Sequence, residues 1–102
     1  MDNRIRFTNG SSISLLKAER AILDSEELAL HEMLTFDGRR CGVGVLENWT
    51  RSTYGAQTFS RRITPNTRRI LLNVNDLYPG DTTEHNRQRA RHVAAFLRGE
   101  AK

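Results

Sequence analysis

The sequence predicts a mainly α fold, a small single-domain helical bundle with either a short β-hairpin near residues 34–45 or an N-terminal edge strand. Three observations carry this. The chain has 102 residues, which suits one domain and leaves no room for two. Apolar residues recur at helical spacing in several stretches. Those stretches begin and end at residues that start and stop helices. The domain is expected to span residues 1–102, with 1–4 and 99–102 frayed.

At the N-terminus, Arg4-Ile5-Arg6-Phe7 alternates polar and apolar residues, and the turn pair Asn9-Gly10 follows. That reads as a short edge strand closed by a turn. Ser11 and Ser12 can cap a helix from Ile13, on which Leu15, Ala18 and Ile22 share a face. Asp24 or Ser25 can cap a second helical stretch, with Glu26 and Glu27 where the helix dipole favours negative charge. Leu30, Met33 and Leu34 continue its apolar face.

Asp37-Gly38 is a turn signal. Residues 41–49 read two ways. As a strand, Cys41, Val43 and Val45 share a face; as a helix, Cys41, Val45 and Trp49 line up. The helix is preferred, although each mid-helix glycine costs about 1 kcal/mol against alanine. Residues 50–63 read as a long irregular connection. Thr64-Pro65 places a cap residue and a proline at a helix start. Ile70, Leu71, Val74 and Leu77 then form one stripe, with a buried strand over 70–74 as the competing reading. Tyr78-Pro79-Gly80 ends that element. In the last helix, Asp81 is the expected cap, with Glu84 at the capping-box position. Ala90, Val93 and Leu97 are its core face and Gly99 its stop.

Residues 1–50 hold six basic and eight acidic side chains, and residues 51–102 hold ten basic and four acidic ones. A basic C-terminal half attracts nucleic acid or an acidic protein surface. The basic residues are fourteen arginines and two lysines, a bias that a GC-rich genome also produces. With a single cysteine, Cys41, no intramolecular disulfide can form, so a secreted disulfide scaffold is excluded. No signal-peptide core or membrane-length apolar run is visible, which predicts a cytoplasmic protein and no membrane partner. The triplets at Asn9 and Asn48 therefore read as chance matches to a glycosylation site.

On the last helix, Arg87, Arg91 and Arg98 fall within about 40° of one another. Guanidinium forks pair well with phosphate oxygens, so the stripe suits an anionic partner. The same stripe also reads as a solvated helix face balanced by Glu84 and Glu100. Arg89, His85, His92 and Phe96 lie on the opposite flank of the core face. Between Trp49 and Arg62, aromatics alternate with arginines, a mixture used by single-strand binders, although Trp49 and Phe59 also suit a core. Arg61, Arg62, Arg68 and Arg69 complete the candidate partner-binding set.

Metal binding has weak support. His85 and His92 stand about 10.5 Å apart along a helix, too far to share one ion, and Cys41 and His31 add no short ligand pair. No cofactor is expected. Cys41 is a candidate nucleophile: Arg39, Arg40 and a helix start would each lower its pKa, His85, His31 or His92 could act as base, and Asn75 or Asp76 as orienter. The competing reading is a small buried apolar residue. No glycine-rich phosphate loop is present, and of the carboxylates, Glu26 and Glu27 are adjacent and point different ways while Asp76 and Asp81 flank a turn.

From Gly38 to Arg98 the chain resembles small uncharacterised phage and prophage-type proteins. The shared pattern is the turn at Asp37-Gly38 with Cys41, Gly44 and Leu46, then Asn75-Asp76 closing an apolar run, then a Thr-led helix from Thr82 and Thr83. The resemblance implies a bacterial or phage accessory protein whose commonest work is binding another macromolecule, and it transfers no catalytic role. The expected function is thus a non-enzymatic accessory or inhibitor protein that binds an acidic protein or nucleic acid through its basic C-terminal half. The alternative is a small cysteine-dependent enzyme or ligand-binding domain using Cys41 and a histidine. A homo-oligomer whose arginines close an interface is a third reading.

Overall fold

The computed structural model describes residues 3–30, 40–47 and 62–101. In chain order they form β1 (Arg4–Arg6), β2 (Ser12–Ser14), α1 (Leu15–Ser25), α2 (described over 42–47), α3 (Pro65–Asp76) and α4 (Thr83–Glu100). The fold is mainly helical, with one short antiparallel hairpin at the N-terminus. The radius of gyration of 12.6 Å matches the ~13 Å of a compact chain of this length.

The alternation seen at the N-terminus is that of a half-buried ribbon. Ile5 pairs with Ile13, and both point into the core with Phe7, while Arg4, Arg6 and Ser12 occupy the outer face. Gly10 takes a φ of 91° in the connecting turn, which glycine adopts without a Cβ penalty. Asn9 Oδ1 braces the turn by accepting from the Ser11 amide at 3.1 Å and its hydroxyl at 2.6 Å. Phe7 also bridges Ile63 in antiparallel register, so residues 62–64 lie against the free side of β1. The bonds Thr8 N–H to Arg62 O (2.7 Å) and Thr64 N–H to Arg6 O (3.0 Å) flank that bridge.

The helix expected from Ile13 starts later. Ile13 is needed in the ribbon opposite Ile5, so Ser14 becomes the cap, its hydroxyl accepting from Lys17 N–H at 3.2 Å. Leu15, Ala18 and Ile22 are the buried face of α1, as expected. The helix ends at Ser25, and Glu26 follows with a φ of 64°. That reverses the chain where a second helix was expected from Asp24 or Ser25. Residues 26–30 are irregular instead; Leu28 bridges Arg40, and Leu28 and Ala29 are buried. The hairpin alternative near 34–45 also fails where it is described, because 42–47 is helical. The remainder of that hairpin, 34–39, lies outside the described residues, as do Met33, Leu34 and nearly all of the 50–63 connection.

Helix α3 begins at Pro65 after Thr64, as expected, and excludes a strand over 70–74. Helix α4 is capped by Thr82 rather than Asp81: the Thr82 hydroxyl accepts from His85 N–H at 3.2 Å. Glu84 accepts from the Gln88 amide one turn on, at 3.0 Å, instead of closing a capping box. The helix continues through Gly99, expected as its stop, to Glu100, and near the other end the Asn3 carbonyl accepts from Leu15 N–H at 3.2 Å.

Buried irregular backbone must find partners, and two side chains supply them. The Asn75 amide donates to Ala29 O and accepts from Gly42 N–H, both at 2.9 Å. It thereby joins the 26–30 segment and the head of α2 to α3. Arg89 donates to Leu28 O at 2.8 Å, to Tyr78 O through two nitrogens at 2.8 and 3.1 Å, to Asn86 Oδ1 and to Gly80 O. Both Asn75 and Arg89 are fully buried. The sequence placed Arg89 on a flank outside the core; the structure buries it because the 26–30 and 77–81 segments fold over that flank. Gly80 adopts a φ of 104° there, and an added Cβ would stand 2.5 Å from the His85 ring.

Arg89→Met would leave several buried carbonyls without donors. The expected loss is roughly 3–5 kcal/mol in urea unfolding, a large share of a small domain's ~5–15 kcal/mol. A loss below about 1 kcal/mol would show that the guanidinium does not hold these segments.

Candidate functional site

The predicted arginines separate into distinct environments. Arg98 is bound by Glu19 of α1, with Nε and Nη2 reaching the two carboxylate oxygens at 2.7 and 3.0 Å. Its hydrogen bond is the main reason that the Glu19 carboxyl is held below its ordinary value, and Arg98 is raised in turn. Arg87 and Arg91 are exposed on the same flank and line a depression of about 330 Å³ with Leu23, Glu26 and Ala90. Residues early in α1 thus meet the end of α4, and residues late in α1 meet its start, so the two helices run antiparallel. The expected stripe exists, but a carboxylate from α1 engages one of its members.

Arg62, Arg68 and Arg69 converge. They line one cleft of about 380 Å³ at the head of α3, with Thr8, Ile63, Pro65, Leu72 and Asn73. Arg62 is carried there by the pairing of 62–64 with β1. Arg68 and Arg69 follow from the first turns of α3, where Arg69 donates to Asn66 Oδ1 at 2.8 Å. The Glu47 carboxylate braces this wall: it accepts from Ile63 N–H at 2.9 Å and stands 3.8 Å from Arg68 Nε. Arg61, the seventh predicted arginine, lies outside the described residues.

Sequence reasoning read Arg4 and Arg6 as strand residues and missed them as part of this surface. The antiparallel register sets Arg6 between Ser12 and Thr64, and Arg62 beside Thr8, on the ribbon's outer face. The signal was present in the alternation, because both outward positions of Arg4-Ile5-Arg6-Phe7 are arginine. What the sequence lacked was the third segment, 62–64, which joins this face to the cleft.

Cys41 sits at the head of α2, buried in the core, where its sulfur accepts from Gly44 N–H at 3.5 Å. Burial is the largest influence on the thiol and raises its pKa. The Gly44 and Val43 amides lower it by less, and Asp76 and Glu47 add to the rise. The thiol is therefore not activated as a helix start would suggest, because desolvation outweighs the amides at the head of α2, while Arg39 lies outside the described residues. His85 has other surroundings. Its ring stands 2.8 Å from the Thr82 hydroxyl, lies over Gly80 and is tilted 6.5 Å from Tyr78. His31 and the aromatics Trp49, Tyr54 and Phe59 lie outside the described residues. Among the described residues, no three His, Cys, Asp or Glu side chains group closely enough to hold a metal ion, and no helix is long and apolar enough to cross a membrane.

No family model, no curated protein and no solved structure matches the chain.

Two outcomes are expected. In the folded protein, Cys41 should react with a disulfide reagent at mildly alkaline pH no faster than global opening exposes it; labelling near the rate of an unfolded control would contradict its burial. Because the folded Glu19 carboxyl is lowered from 4.5, its contribution to stability is present above that pH and is lost as pH falls through the lower folded value. Glu19→Gln should therefore be less stable than the wild type in urea at neutral pH, and the difference should close at the acid end.

Proposed function

We propose that this chain is a non-enzymatic binding protein that takes an anionic macromolecule on its basic surface, as an accessory or inhibitor factor of bacterial or phage type. The observation that carries this reading is the convergence of Arg62, Arg68 and Arg69 on one cleft beside the ribbon that presents Arg4 and Arg6. Among the described residues, the Glu47 carboxylate stands beside Arg68, and Arg4 Nε donates to Ser12 Oγ at 2.7 Å. A local excess of positive charge in a concave site concentrates field and draws in an anionic partner. The apolar floor of Ile63, Pro65 and Leu72 gives that partner something to pack against.

The centre of the surface moves from the expected stripe on α4 to the head of α3. Arg87 and Arg91 share their depression with Glu26, and Arg98 is committed to Glu19. These three form a secondary basic flank. The resemblance over residues 38–98 supports the bacterial or phage assignment. Cysteine-dependent chemistry has no support from a buried thiol whose pKa is raised.

Fluorescence anisotropy with labelled polyanions across a salt series tests the reading. Affinity should fall steeply with salt, by a slope of about 0.7–0.9 per phosphate contact for a nucleic acid. Arg62→Ala with Arg69→Ala should weaken binding about tenfold or more and flatten that slope, while Arg87→Ala with Arg91→Ala has the smaller effect. Absence of binding to oligonucleotides and polyglutamate at low salt would overturn the proposal.

A further inference from the structure

We infer that the ribbon and the cleft together form a binding track for single-stranded nucleic acid, with one nucleotide seated in the cleft at the head of α3. This deepens the proposed function and rests on it.

The chemistry of the ribbon's outer face points to a phosphodiester chain. Its side chains are arginines and hydroxyls in rows across three extended segments: Ser12, Arg6 and Thr64 in one row, Arg62 and Thr8 in the next. Arginines with serine and threonine hydroxyls are the donors that hold phosphate and sugar in nucleic-acid complexes. Thr64 makes no side-chain bond to the helix that it precedes, so the head of α3 lacks its usual side-chain acceptor. Proline at the first position of α3 has no N–H to satisfy, and the next amides of that turn lie at the positive end of the helix. Five arginines are distributed along this path: Arg4, Arg6, Arg62, Arg68 and Arg69. Such a run suits a ligand with one anionic group per repeat.

The shape favours a single strand over a duplex. A protein that reads a duplex pushes a helix or a two-stranded ribbon into a groove about 12 Å wide. Here the inner face of the ribbon is buried by Ile5, Phe7 and Ile13, and 62–64 covers its free edge. It forms a floor and not a blade. Beside that floor, the cleft of about 380 Å³ lies at the small end of the ~300–1,000 Å³ typical of ligand pockets, a size for one nucleotide. Leu72 and Pro65 offer an apolar wall for a base or sugar, the planes of Arg62 and Arg69 can stack on a base, and the exposed Asn73 amide can both donate to and accept from a base edge.

The probes are a fluorescein-labelled oligothymidylate of about 20 nucleotides, longer than the roughly 4–16-nucleotide sites of small single-strand binders, the duplex of equal length, and labelled polyglutamate. The full chain is used. The oligothymidylate should bind at least about tenfold more tightly than the duplex or polyglutamate. Asn73→Glu, which adds a negative charge at an exposed position on the cleft, should weaken it about tenfold, whereas Asn73→Gln should not, with thermal melting unchanged in both. A 4-thiothymidine strand should crosslink within residues 4–8 or 62–73. Equal binding of strand and duplex, indifference to Asn73→Glu, or crosslinks on α4 at Arg87 and Arg91 would overturn the track while leaving the anionic-partner reading intact. Polyglutamate binding without oligonucleotide binding would do the same and identify an acidic protein as the partner class. Binding of none of the probes would overturn both.

Discussion

The structure depends on a buried guanidinium. Arg89 is an arginine without exposed surface, and desolvation lowers its pKa from the ordinary arginine value, with Asp81 and Asp76 opposing that at a distance. Its charge is accommodated by a shell of carbonyl oxygens from Leu28, Tyr78 and Gly80 and by the Asn86 side chain. Those carbonyls belong to the 26–30 and 77–81 segments, which are irregular apart from the bridge of Leu28 to Arg40. An isolated charge in such a place costs many kcal/mol. A charge bonded to four acceptors converts that cost into a geometric requirement, since the acceptors have to be where the guanidinium points. Asn75 applies the same rule on α3 with a neutral amide. Two polar side chains therefore fix how the 26–30 and 77–81 segments lie on the helices.

The surface chemistry follows from that arrangement. Arg89 is inside, and Arg87, Arg91 and Arg98 all stay exposed on the last helix, where Glu19 holds Arg98. At the other end, Ile63 is drawn into the core beside Phe7. A fully buried isoleucine stabilises by roughly 2 kcal/mol. Its burial brings Arg62 onto the ribbon and places the first turns of α3, with Arg68 and Arg69, around the cleft. The basic face is thus a by-product of core packing on the opposite side of the same three extended segments. Period-two alternation links the two: what points in is isoleucine and phenylalanine, and what points out is arginine, serine and threonine.

Much of this was legible in the chain. The N-terminal strand and its Asn9-Gly10 turn, the core faces of α1 and α4, the Thr64-Pro65 start and the helical state of 42–47 all follow from caps, turn residues and spacing. Failures arose where two local signals competed. Ser11, Ser12 and Ser14 are all cap residues, and the pairing of Ile13 with Ile5 decided among them. Asp81 and Thr82 are both good caps, and Thr82 holds the position. Cys41 had a helix terminus and two preceding arginines to lower its pKa, and burial reversed the outcome.

By itself, the sequence determined the helical class, the single core, the Thr64-Pro65 start of α3 and the excess of arginine in the second half. These are properties of residues within a few positions of one another, where backbone geometry and spacing act directly. Only the tertiary structure decided which arginines are available. Arg89 meets Leu28 across 61 residues of chain, and Arg98 meets Glu19 across 79. Arg62 and Arg6 come together through a bridge between Phe7 and Ile63. Whether a charged side chain is buried, paired or presented depends on what the rest of the chain brings to it, and no local periodicity contains that information.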